Sequence, residues 1–163
     1  MFSEIACYGQ DSTFDDILTT IFISAEQNVN CVALPSGFMG RVAEFLKDQR
    51  FAAVIDFPYG ISTTQVRLHE IILAIRQGAI LIDLVLNGSY LKEENWKKIE
   101  EDLKVCSTVC NKNNVTLRPI LEYKLFSPRV VIKACEMLEK HNITTVINST
   151  GSIIDDPSDN AII

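Results

Sequence analysis

Short apolar runs alternate along this chain with stretches of helical spacing, and the switch repeats without a linker or low-complexity break. A first strand falls near residues 3–8. "QDSTFDDILTTIFISAEQN" follows as a helix, with polar caps at its start, acids in its first turn and Ile17, Ile21 and Ala25 inward. Strand two covers 29–35, and "GFMGRVAEFLKDQ" is its helix. "FAAVIDFP" is a third strand closed by Pro58 and Gly60, followed by the capped amphipathic helix "STTQVRLHEIILAIRQG". "GAILIDLVLNG" is a fourth strand with Asp83 at its centre, and a long helix from about 92 to 111 turns Trp96, Ile99, Leu103, Cys106 and Val109 or Cys110 inward. "VTLRPILEY" is the fifth strand. "SPRVVIKACEMLEKHN" is a helix with Ser127 as N-cap, Pro128 in its first turn and Val131, Ala134 and Leu138 inward, and "TTVINSTG" is the sixth strand.

Continuous apolar strands, each followed by an amphipathic helix, predict an α/β fold with a buried parallel sheet. Neither GxGxxG nor GxxxxGK[ST] follows a strand, which argues against a nucleotide-binding open sheet. Polar residues recur near strand C-termini instead: Asp56, Asp83 with Asn87, Glu122 with Lys124, and Asn148 to Thr150. Barrel enzymes keep their chemistry at that rim. The expectation is a (β/α) TIM-barrel type domain over residues 1–163 with six of the eight β/α units, an incomplete or truncated barrel. The last stretch, "DDPSDNAII", resembles the capped start of a further helix. If the chain ends near Ile163, the open sheet edge predicts self-association or a larger assembly.

Composition narrows the function. With 47% hydrophobic and 22% charged residues this is a globular chain, and its net charge of −6 leaves no basic face for nucleic acid. No apolar run approaches the roughly 18 residues of a membrane span, so no membrane partner is expected. The N-terminus lacks a signal-peptide pattern, and five cysteines form no CxxC pair, which fits reduced thiols and a cytoplasmic location. Cys106 and Cys110 share a helix face without nearby histidines, which suits packing better than metal binding; no metal site is expected. His69 and His141 have no triad around them.

Asp83 poses the chemical question, because an ionised carboxylate inside an apolar strand is costly without a partner. Three stretches bear on it. "AAVIDFPYGISTTQVRLHEIILAIRQGAILIDLVLN" resembles the deoxyribose-phosphate aldolase family's run of Phe-Pro-x-Gly, Thr-Thr-x-Val and Gly-Ala-x-x-Ile-Asp. "QDSTFDDI" resembles its Pro-Asp-Ala-Thr, and "INSTG" its Lys-Thr-Ser-Thr-Gly. The resemblance implies a (β/α)8 barrel that joins acetaldehyde to glyceraldehyde 3-phosphate through a lysine Schiff base, without cofactor or metal. Asp83 then matches the family's proton-relaying aspartate, Cys31 a cysteine-bearing strand and Glu4 an acidic position on the first strand.

Other positions depart from the family. Ile147 stands where the resemblance places the Schiff-base lysine. Arg118 stands where the family has an inward lysine, and a guanidinium stays protonated and forms no imine. The family's second lysine and phosphate loops fall after the last residue given, and "YKLF" after Glu122 follows no family pattern. Strand alternation offers one rescue: Arg118, Ile120, Glu122 and Lys124 share a face, so Lys124 is either a relocated nucleophile or a solvated lysine past the strand end.

The expected function is thus a deoxyribose-phosphate aldolase-like protein, catalytically degenerate and used for binding or assembly, with Asp83 paired to Arg118. The alternative is an active 2-deoxyribose-5-phosphate aldolase, a carbon–carbon lyase with a relocated lysine or a further C-terminal part. Asp83 and Lys124 are the catalytic candidates. Glu4, Cys31, Arg118, Glu122, Asn148, Ser149 and Thr150 are the candidates for binding a small aldehyde or sugar phosphate.

Overall fold

A computed structural model describes residues 2–9, 11–45 and 49–152. The helix start expected over "DDPSDNAII" lies outside these residues. In chain order the elements are β1 (Glu4–Ala6), α1 (Phe14–Glu26), β2 (Cys31–Pro35), α2 (Met39–Phe45), β3 (Phe51–Ile55), α3 (Thr64–Arg76), β4 (Leu81–Val85), α4 (Gly88–Lys92), α5 (Trp96–Lys112), β5 (Thr116–Ile120) and α6 (Pro128–Lys140). Single 3-10 turns cover Ser36–Phe38 and Tyr123–Leu125.

Local chemistry explains the helix boundaries. Thr13 and Asp16 form a reciprocal capping box: Thr13 N–H donates to Asp16 Oδ2 at 2.8 Å, and Asp16 N–H donates to Thr13 Oγ1 at 3.2 Å. Ser127 caps α6, with Pro128 in the first turn. The helix expected from 92 to 111 is α5, which starts at Trp96, and a separate short helix, α4, precedes it. Asn87 caps α4 and Asn95 caps α5, and Glu94 between them has a left-handed φ of 54° that no continuous helix accommodates. Inward faces also differ slightly from expectation: Ser24 rather than Ala25 is buried on α1, and Val130 is more buried than Val131 on α6.

All neighbouring strands pair in parallel, in the order β1-β2-β3-β4-β5. Sequence order across the sheet is the topology of a (β/α) barrel wall, in which each helix returns the chain to the next position around the ring. Strand alternation divides the side chains between two environments. Val32, Leu34, Phe51, Ala53, Ile55, Ile82, Leu84 and Leu117 pack outward against Ile17, Ile21, Ile71, Leu103, Ala134 and Leu138 of the helices. On the concave side, Cys31, Ala33 and Ala52 form one small cluster, and Val54, Val85 and Ile120 form another.

The expected sixth strand is reduced to one parallel bridge, Ile120 to Ile147, with Ile147 N–H donating to Pro119 O at 2.8 Å and Leu121 N–H to Ile147 O at 3.0 Å. Its partner runs out: β5 stops at Ile120, and Glu122 adopts a left-handed backbone (φ 48°) that turns the chain out of the strand. Among the described residues the wall is therefore five strands and a bridge.

Candidate active site

The concave face holds an ionic centre built from three strands. Arg118 of β5 lies beside Asp83 of β4 in register, and its guanidinium donates from Nε to Asp83 Oδ1 at 2.6 Å and from Nη2 to Asp83 Oδ2 at 2.7 Å. The same Nη2 donates to Glu4 Oε2 of β1 at 2.7 Å. Asp83 is 1% exposed and Arg118 3%. A two-toothed contact of this kind matches the planar fork of arginine to a carboxylate. Here the Asp83 carboxylate meets the partner that its buried position requires.

Burial pushes Asp83 up to about 7, against the hydrogen bonds and charge of Arg118, which hold it down. Burial also works against the charge of Arg118, but Asp83 and Glu4 outweigh it and keep the guanidinium above its ordinary range. Cys31, the register partner of Glu4, is wholly buried, and burial followed by the charge of Glu4 drives its thiol up to about 12. A thiol so placed is neutral and unreactive at physiological pH.

Above this centre lies a cavity of about 310 Å³. Glu4, Asp83, Asn148 and Ser149 supply polar surface, and Tyr8, Val54, Ile120 and Ile147 supply an apolar wall. Ile147 is half-buried and packs on the Val54, Val85 and Ile120 cluster. Tyr8 is a residue that the sequence reading passed over. Its ring lies 5.3 Å from that of Phe57, and burial, then the charges of Asp83 and Glu4, push its hydroxyl up to about 12. The period of two from Glu4 through Ala6 points to it, since Tyr8 continues the inward face of β1.

The remaining candidates divide. Glu122, 6% exposed, accepts from Ser149 Oγ at 2.9 Å and from the backbone N–H of Thr150 at 2.6 Å, so its carboxylate pins the turn after Ile147 to the end of β5. Asn148 is 5% exposed, and its carbonyl accepts from Tyr123 N–H at 3.0 Å. Lys124 is placed otherwise than strand alternation suggests. The left-handed Glu122 ends the alternation, and Lys124 falls on the exposed 3-10 turn, away from the cavity wall. Asn87, expected at the rim, caps α4 through Tyr90 N–H at 3.0 Å.

A second buried cluster, also unforeseen, braces β4 from outside. Arg67 of α3, 1% exposed, has Nε 3.3 Å from Asp56 Oδ2, and its two terminal nitrogens donate to Asp102 of α5 and to the carbonyl of Val85. Asp56 in turn accepts from Ser62 N–H at 2.9 Å and Ser62 Oγ at 2.8 Å, closing the Phe57–Gly60 loop. At Gly60 (φ 66°) an added Cβ would lie 2.5 Å from Leu86 O, so the loop rests directly on the end of the Asp83 strand. Asp56 therefore serves this brace and does not line the cavity. Among the described residues there is no cluster of three metal-ligating side chains, and no helix is long and apolar enough to cross a membrane.

Residues 5–145 match the DeoC/LacD family aldolase description. A deoxyribose-phosphate aldolase of Mycoplasmopsis pulmonis is 33% identical over 83% of this chain and 62% of its own length. Another from Aciduliprofundum boonei is 34% identical over 67% of this chain and 50% of its own. The chain thus spans between half and two thirds of these relatives. In three dimensions it superimposes on the deoxyribose phosphate aldolase of Aeropyrum pernix, described as a unique tetramer, with a TM-score of 0.84 at 16% identity, covering 92% of this chain and 63% of that one. That likeness establishes the fold: an aldolase-type α/β barrel, incomplete over the described residues.

Proposed function

Since this chain belongs to the DeoC/LacD family of aldolases, we infer that it is a deoxyribose-phosphate aldolase-like protein whose cavity binds without forming a Schiff base. One observation carries this reading: Ile147 occupies the cavity wall alongside Asp83, and no lysine lines that cavity among the described residues. An imine requires an unprotonated amine within reach of the carbonyl carbon. Arg118 cannot supply one, because its guanidinium keeps its proton and both of its carboxylate partners. The ligand class that fits the relatives' names is a small aldehyde or sugar phosphate, held by Glu4, Asp83, Asn148 and Ser149 against the Tyr8 and Ile147 wall. The proposal includes a single aldolase-like domain over residues 1–163 acting in the cytoplasm.

Borohydride reduction in the presence of acetaldehyde, read by intact mass and peptide mapping, tests the reading. The expected outcome is no stable two-carbon adduct concentrated on one lysine. Ile147→Lys places an amine in the cavity wall and is expected to be trapped there, which shows that the cavity admits acetaldehyde. An adduct on Lys124 or any other single lysine of the unaltered chain would establish an active aldolase with a relocated nucleophile.

A further inference from the structure

β1 is a weak element by its local contacts. It has three residues, stands at the end of the strand order, and is held to β2 by the pairs Glu4 to Cys31, Ile5 to Val32 and Ala6 to Ala33, with Cys7 N–H donating to Ala33 O at 2.9 Å beyond the ladder. Short edge strands fray more readily than central ones. Yet β1 carries one end of a contact that crosses the whole sheet. Glu4 meets Arg118 on β5, the strand at the opposite end of the order, at 2.7 Å, and the two side chains are 12% and 4% exposed.

The crossing depends on curvature. Five strands laid flat at about 4.8 Å spacing would put β1 and β5 about 19 Å apart. The contact therefore exists only while the sheet is curled. An interaction present in one conformation and absent in another stabilises the first by its whole differential free energy. Arg118 is also fixed at its own end, since Nε and Nη2 are both held by Asp83 of β4, so the guanidinium cannot swing to follow a departing β1. The Phe2 ring, 5.9 Å from the Arg118 guanidinium carbon, adds a second contact from the same segment.

We propose that the Glu4–Arg118 pair is a strut across the interior, which holds β1 on the sheet and keeps the cavity formed. Glu4 is in this view a positioning residue for the cavity, independent of whether any ligand is turned over.

Hydrogen exchange by mass spectrometry on the full chain, with alkylation of Cys31, tests the strut. Cys31 lies beside Glu4 on the neighbouring strand and is wholly buried, whereas exposed Cys135 serves as the internal control. Glu4→Gln keeps the shape and removes the charge. It is expected to raise exchange over residues 3–7 and 31–35 by at least tenfold and to speed Cys31 alkylation to a similar degree, with exchange over 81–85 and alkylation of Cys135 unchanged. Glu4→Asp keeps the charge but is one methylene short of the anchored guanidinium, and is expected to behave as Glu4→Gln does. Equal protection of β1 in the wild type and Glu4→Gln overturns the proposal, as does a rise spread evenly over all strands or a Glu4→Asp chain indistinguishable from wild type. The unaltered chain offers a check that needs no variant: β1 amides should be protected to within about tenfold of those in β2, and a β1 that exchanges as a frayed end refutes the strut.

Discussion

Replacing Arg118 by methionine keeps most of the side-chain volume and removes the only basic group seen to contact Asp83 or Glu4 among the described residues. Three charge-assisted hydrogen bonds disappear, at 2.6, 2.7 and 2.7 Å. Stranding a buried charge in this way costs about 3–5 kcal/mol. Asp83 has an escape that limits the loss: burial already lifts it to about 7, and without Arg118 it rises further and takes up a proton near neutral pH. Protonation removes the charge penalty but leaves the hydrogen bonds unmade, so the lower end of the range, about 3 kcal/mol, is expected at pH 7.5. For a domain of this size each kcal/mol shifts Tm by roughly 2–4 °C, which gives a fall of about 6–12 °C. Thermal unfolding followed by far-UV circular dichroism measures it. Adding Asp83→Asn to Arg118→Met removes the stranded carboxyl and should recover part of the loss, and this double variant keeps the experiment informative if the single one is too unstable to purify. A Tm unchanged by Arg118→Met would refute the claim that the pair satisfies the buried carboxylate.

The direction of the Asp83 shift has a second consequence. A carboxyl whose folded pKa lies above its ordinary value binds its proton more tightly in the folded chain, so its contribution is fully present below the ordinary carboxylate range and is lost as pH rises towards 7. The wild-type Tm should therefore fall between pH 5 and 7.5 by an amount that Asp83→Asn removes, and identical slopes in the two proteins would count against it. Arg67→Met should destabilise by about 3–5 kcal/mol, because Asp56 and Asp102 lose their shared cation while both stay buried. Urea denaturation measures that loss, and a change below 1 kcal/mol would mean that the brace on β4 is dispensable.

What could be read from sequence followed the periodicities. Strand and helix order survive in the structure because period-two and period-3.6 patterns depend on near neighbours alone. The pairing of Asp83 with Arg118 was legible too, since an acid and a base at the centres of consecutive apolar strands have few other places to find counter-charge. Lys124 carried two readings for a local reason: alternation carries no warning that Glu122 leaves the strand through a left-handed backbone. The Arg67 cluster left a signal that went unread. Arg67 stands on the same helix stripe as Ile71 and Ala74, and Asp102 falls between Ile99 and Cys106 on the buried stripe of α5. Opposite charges on the inward stripes of two helices imply a contact between those helices, but only when the two patterns are compared with each other.

The two arginine clusters bear jointly on how Asp83 is held. On the concave side Arg118 answers the charge directly, and on the convex side Arg67 binds the carbonyl of Val85, two residues further along the same strand. Gly60 admits the Phe57–Gly60 loop against Leu86 O on that same stretch, so β4 is fixed from three directions. A lysine in place of Arg118 could offer only a point charge, and its pKa would drift with burial; the planar fork holds Asp83 and Glu4 together and stays charged throughout. That geometry holds Asp83 at both oxygens, while burial keeps its carboxyl raised to about 7. The arrangement thus joins both carboxylates of the cavity, Asp83 and Glu4, through one guanidinium.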